Sequence, residues 1–97
     1  MGNSFQSLMA RGYHISGRVQ GVGFRYYAQH WAAELGVKGF VRNAPEGTVE
    51  CYAVGTQAQL ERFKEKLAKG PRMAFVERVD EFPESVDREL ESFRITY

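Results

Sequence analysis

Cysteine is almost absent from this chain: Cys51 stands alone, so no internal disulfide is possible and a core must hold the fold. That usage suits a reducing compartment, and a cytoplasmic location is expected. No apolar run approaches the length that crosses a bilayer, so no membrane association is expected. The first ten residues lack the charged and apolar regions of a secretory signal, and Gln6 stands where a lipidation site starting at Gly2 would need Ser or Thr. Charge of one sign is lacking overall, the net being +1. A sequence-independent nucleic-acid binder usually keeps a surplus of Lys and Arg, so no nucleic-acid partner is expected. The balance hides an asymmetry: residues 1–76 carry ten basic and five acidic side chains, and residues 77–97 three and seven. Internal repeats, low-complexity tracts and dividing linkers are missing as well.

Hydrophobic residues make up 43% of the 97 and aromatics 13%. This is ample for one small domain with one core, and any chemistry it performs must be economical. The alternation of Tyr13, Ile15, Gly17 and Val19 with polar neighbours predicts a strand over 13–19. Ala28, Trp31, Ala32 and Leu35 form one helical stripe, predicting a helix over 24–35 that Gly36 ends. Residues 37–43 and 48–54 read as two strands joined by Ala44-Pro45-Glu46-Gly47, an antiparallel hairpin. Cys51 falls on the apolar face of the second, as a core residue.

Thr56 and Gln59 form a capping box ahead of Leu60, Phe63 and Leu67, and Gly70-Pro71 closes that second helix. Residues 73–82 read as a strand with a bulge, because Val76 and Val79 lie three apart. Residues 84–91 read as an acidic loop, and Phe93, Ile95 and Tyr97 as a short closing strand. The order predicts an α+β fold, a ferredoxin-like βαββαβ sandwich whose antiparallel sheet carries both helices on one face, plus a short C-terminal strand. Residues 1–11 are expected to be a flexible N-terminal extension and 12–97 the folded domain, with no oligomerisation seam and a monomer as the expected state.

The segment Gly17-Arg18-Val19-Gln20-Gly21-Val22-Gly23-Phe24-Arg25 joins the first strand to the first helix through a glycine-rich loop. Such a loop turns its N–H groups inward, the helix adds its free N-terminal donors, and Arg25 offers a two-pronged fork, a combination suited to a phosphoryl group. Two named phosphate motifs are excluded. A dinucleotide fingerprint would need glycine where Tyr26 stands, and no Gly-Lys-Ser/Thr of a Walker A loop is present.

Taken with Gly39-Phe40-Val41-Arg42-Asn43-x-x-x-Gly47-x-Val49-Glu50, this segment resembles the paired signatures of the acylphosphatase family, over nearly all of the chain from Tyr13 to Tyr97. Phe40 stands where that family often has Trp, and Thr96 where it often has Arg. The resemblance implies phosphate binding by Gln20, Gly21, Val22, Gly23, Phe24 and Arg25. It implies catalysis by Arg25 and Asn43, with Arg25 gripping phosphoryl oxygens and Asn43 orienting the attacking water. A small acyl phosphate would be the substrate and inorganic phosphate a product, with no metal and no cofactor. Arg18 and Arg42 alternate with apolar strand residues and are expected on a solvent face. His14 and His30 read as ordinary polar residues, and Tyr26 and Tyr27 as packing residues more than acyl contacts. The competing reading is a non-catalytic module that binds a phosphate-bearing ligand or RNA, with Tyr13, Phe40 and Tyr52 as stacking aromatics.

Overall fold

A computed structural model describes residues 7–97; the first six positions of the expected extension lie outside the described residues. The elements are β1 (Met9–Arg18), α1 (Phe24–Leu35), β2 (Lys38–Asn43), β3 (Val49–Gly55), α2 (Gln57–Lys69), β4 (Phe75–Glu84) and β5 (Phe93–Ile95). They build one five-stranded sheet in the order β4-β1-β3-β2-β5. Helix α1 packs on α2, β2 and β5, and α2 on β1, β3 and β4, so one face of the sheet is covered and the other open.

The first strand begins four residues earlier than its alternation suggests. Ala10 pairs with Val54 on one side and Glu84 on the other, and it is 1% exposed. Backbone partners on both sides hold this stretch in the sheet, although Met9-Ala10-Arg11-Gly12 shows no apolar alternation. Helix α1 has the expected limits: its two carbonyls at Ala32 and Ala33 are met by N–H groups at a left-handed Gly36 cap. The capping box of α2 is complete, with Gln59 N–H donating to the Thr56 hydroxyl at 3.2 Å and Thr56 N–H donating to Gln59 Oε1 at 2.8 Å.

Register slips between β1 and β4 at Ser16/Gly17, leaving Glu77 as the extra residue of a bulge. The bulge returns Val76 and Val79 to the same inner face, where both pack on the core. Pro83 is tolerated because β4 is an edge strand. Strands β1 to β4 pair antiparallel, as the βαββαβ order predicts, and the added β5 runs parallel to β2, so the five-stranded sheet is mixed. Strand β4 ends where β2 begins, and the connection 85–92 crosses that end of the sheet, so β5 must enter β2's edge in β2's own direction. The closing strand also stops at Ile95, short of Tyr97.

Tyr13, Ile15, Val41, Val49, Cys51, Leu60, Phe63, Leu67 and Phe93 form the core between sheet and helices. Burial pushes the Cys51 thiol far up, so it packs as a small apolar residue and not as a nucleophile. On the open face Glu50 is shared: it lies 2.9 Å from His14 Nε2 and 2.7 Å from Arg42 Nη2, linking β1, β3 and β2. The His14 hydrogen bond and the Arg42 guanidinium hold the Glu50 carboxyl below the ordinary carboxylate range.

Two outcomes follow from these contacts. A carboxyl whose pKa is lower folded than unfolded adds stability above its unfolded pKa and loses it as pH falls through the folded one. Thermal unfolding of Glu50→Gln across the acid range is therefore expected to show a shallower loss of Tm than the wild type. The Tyr13 hydroxyl is buried and makes no hydrogen bond of ordinary length among the described residues, with the Glu81 carboxylate of the paired strand as its charged neighbour. Tyr13→Phe is expected to raise stability by about 1 kcal/mol in urea unfolding, since an unmet buried hydroxyl costs roughly that much or more.

Candidate active site

Strand β1 ends at Arg18, and residues 19–23 then turn the chain into α1. Val19 and Phe24, 1% and 2% exposed, pin both ends of this loop into the core, while Gly21 and Gly23 stay on the surface. Gly21 has φ 74° and Gly23 φ 78°. A Cβ at either position would meet nothing within 4 Å, so backbone handedness and not crowding requires glycine here. Gly23 caps α1 without a side chain, and the first turn carries no acidic residue. The leading N–H groups of Phe24, Arg25 and Tyr26 therefore lack intrahelical acceptors, and the positive end of the helix dipole is uncompensated.

Gln20 fixes the loop from below. Its side-chain amide donates to the Ala44 and Thr48 carbonyls, both at 2.8 Å. Those two residues also close the β2–β3 hairpin, through Ala44 N–H to Thr48 O at 2.8 Å. Asn43 is the last residue of β2, directly before Ala44, and pairs with Val49. Val41 is buried on the helical face, so alternation turns the Asn43 side chain to that face and Arg42 to the other. Arg42 is taken up by Glu50, and Arg18 is exposed.

Arg25 stands in the first turn of α1, half-buried, with its guanidinium 4.9 Å from the centroid of the Tyr97 ring. Tyr97 reaches it because Thr96 N–H donates to Val41 O at 2.9 Å, carrying the chain end along β2 toward Asn43. The fold thus gathers the loop 20–24, Arg25 and Asn43 at one end of the sheet, on its helical side. Tyr27 is a packing residue: its hydroxyl donates to the Lys66 carbonyl at 2.6 Å and its ring lies against Phe24. Tyr26 is 64% exposed.

The role of the Gln20 side chain and the reach of Tyr97 were not visible in the sequence. Gln20 sits inside a loop pattern that suggests ligand contact, and Tyr97 is remote from Arg25 along the chain. For a metal, the one group of ligand atoms gathered among the described residues is His14, Glu46 and Glu50, within 4.8 Å of one another. Glu50 is already committed to Arg42, whose positive charge opposes a cation there. That group lies on β1, β3 and the hairpin turn, outside the loop.

A family model described as Acylphosphatase matches residues 11–95. The chain is 43% identical over 84 residues to the acylphosphatase of Archaeoglobus fulgidus, covering 87% of this chain and 93% of that one. The crystal structure of acylphosphatase from Bacillus subtilis superposes with a TM-score of 0.88 at 32% identity, over 94% of this chain and all of that one. An acylphosphatase from Coxiella burnetii gives 0.89 at 31% identity, over 99% and 100% of the two chains.

The Gln20 amide is the contact to perturb. Gln20→Leu keeps the bulk and removes both donors, and it is expected to cost about 1–2 kcal/mol of stability in urea unfolding.

Proposed function

Given that this chain belongs to the acylphosphatase family, we propose that it hydrolyses the carboxyl-phosphate bond of small acyl phosphates. The backbone amides of residues 20–24 and Arg25 hold the phosphoryl group, and Asn43 orients water. The observation that carries the assignment is the Gln20 clamp, which fastens the loop before an uncapped helix N-terminus to the hairpin that bears Asn43.

An acyl phosphate is a mixed anhydride whose leaving group is a carboxylate, stable as an anion near neutral pH. It departs with little or no proton donation, so the site needs no strong general acid. What remains is electrostatic: three phosphoryl oxygens to hold, and a loose transition state whose charge spreads over them. The α1 N-terminus supplies donors that are fixed before substrate arrives, and Arg25 adds a full positive charge in a fork that matches two oxygens. The Tyr97 ring, its centroid 4.9 Å from the guanidinium, gives that fork a cation–π neighbour.

Asn43 carries a carbonyl that accepts from water and an amide that donates to a phosphoryl oxygen. Held at the end of a paired strand, it sets the direction of attack without acting as a base. The reaction uses this chain's own donors and calls on no metal or cofactor. The chain works as a monomer in the cytoplasm, with an acyl phosphate as its small-molecule substrate, inorganic phosphate as a product and no nucleic acid as a partner. Among the described residues no helix is long and apolar enough to cross a membrane.

Steady-state hydrolysis of benzoyl phosphate without added metal tests this assignment. Arg25→Ala and Asn43→Ala are each expected to lower turnover by about two powers of ten or more, with unchanged circular dichroism. A folded variant that keeps wild-type turnover would take its residue out of the mechanism.

A further inference from the structure

The open face of the sheet carries a row of side chains that the reaction does not use. In register across all five strands stand Arg94 on β5, Phe40 on β2, Tyr52 on β3, Gly12 on β1 and Phe82 on β4. Phe40 and Tyr52 stack with ring centroids 5.4 Å apart and 24° between planes. This wall is fixed, because the Tyr52 hydroxyl donates to Ser85 O at 2.5 Å and accepts from Asp87 N–H at 2.9 Å. Of the aromatics weighed as a stacking surface from sequence, only Tyr13 turns away, into the core.

Gly12 brings no side chain to the row, and Phe82 and Glu84 lean into the space this leaves. A Cβ at Gly12 would lie 2.4 Å from the Phe82 ring, yet Phe82 stays 39% exposed. Between Tyr52 and Phe82 lies a slot of about 330 Å³, also bordered by His14, Glu50 and Glu84. That is the small end of the range for ligand sites, roughly 300–1,000 Å³. Glu50 is committed to His14 and Arg42. Glu84 makes no ion pair or side-chain hydrogen bond among the described residues, and its Oε2 lies 3.0 Å from the Gly12 Cβ position.

We propose that this slot is a second binding site, for a small organic cation of the alkylammonium or guanidinium class, seated between Tyr52 and Phe82 and countered by Glu84. Aromatic faces attract a cation through their quadrupoles, and the uncommitted carboxylate supplies the opposite charge. Arg94, beyond Phe40 at the far end of the row, places the seat on the Phe82 side. Of the carboxylates on this face, Glu50 is paired with Arg42 and Asp80 with Arg78, so among the described residues Glu84 is the one left to counter a cation. The slot is on the opposite face of the sheet from Arg25 and Asn43 and nearer its other end, so occupancy and hydrolysis are separable.

The test is an amide-resolved NMR titration of the full chain with tetramethylammonium chloride, beside sodium chloride and the neutral analogue tert-butanol. The expected result is saturable shifts at Gly12, Tyr52 and Phe82 with tetramethylammonium alone, weakened about fivefold in each of Phe82→Leu and Glu84→Gln. Both variants are expected to keep wild-type benzoyl phosphate hydrolysis, which also reports that they fold. The proposal is overturned by shifts that do not saturate, by an equal response to tert-butanol, or by wild-type affinity in both variants. Tighter binding of a single-stranded oligonucleotide at the same amides would overturn it too.

Discussion

The two hydrogen bonds of the Gln20 side-chain amide join parts of the chain that no strand pairing joins. Strand β1 neighbours β3 and β4 but not β2, so the loop after β1 and the end of β2 are separated by a full strand. A primary amide has two N–H groups, and here both go to carbonyls of one hairpin turn. The clamp holds the loop without using its backbone N–H groups, which under the proposed function are the donors for an anion beside the uncapped start of α1. A residue that anchored the loop through the main chain would have taken up the very donors that an anion needs.

The placement of the helices follows from the same economy. A chain of 97 residues can bury one face of a five-stranded sheet, and α1 and α2 together do so. The face left open cannot be apolar throughout, and ion pairs such as Glu50 with His14 and Arg42 occupy much of it. Where aromatics do stand on that face, the Tyr52 hydroxyl is bonded to the β4–β5 connection, so one group both orders the ring and fixes the crossing segment. The bulge at Glu77 and the edge proline Pro83 interrupt β4 as a template for another strand.

Much of this architecture was legible in the residues. The limits of α1 were readable because a regular apolar stripe meets a glycine that supplies a left-handed cap, both local signals. The capping box of α2 is local in the same way, and the three-residue spacing of Val76 and Val79 announced the bulge. Less legible was the start of β1, where Ala10 is buried by partners on two other strands and carries no periodic signal. The parallel entry of β5 was hidden as well, because its direction depends on which end of the sheet the 85–92 connection crosses.

The candidate site divides along the same line. Arg25 and Asn43 are named by a pair of motifs, and the glycines at 21 and 23 by the backbone angles that a tight strand-to-helix turn demands. By itself the sequence determined the elements, their order and the residue types with chemistry to offer, because propensity, periodicity and capping act over a few residues. Only the tertiary structure decided that Gln20 grips the Asn43 hairpin, that Tyr97 lies beside Arg25, and that Phe40, Tyr52 and Phe82 share one row across Gly12. Each of these contacts joins residues far apart along the chain, so it is set by strand order and register, which no local pattern encodes.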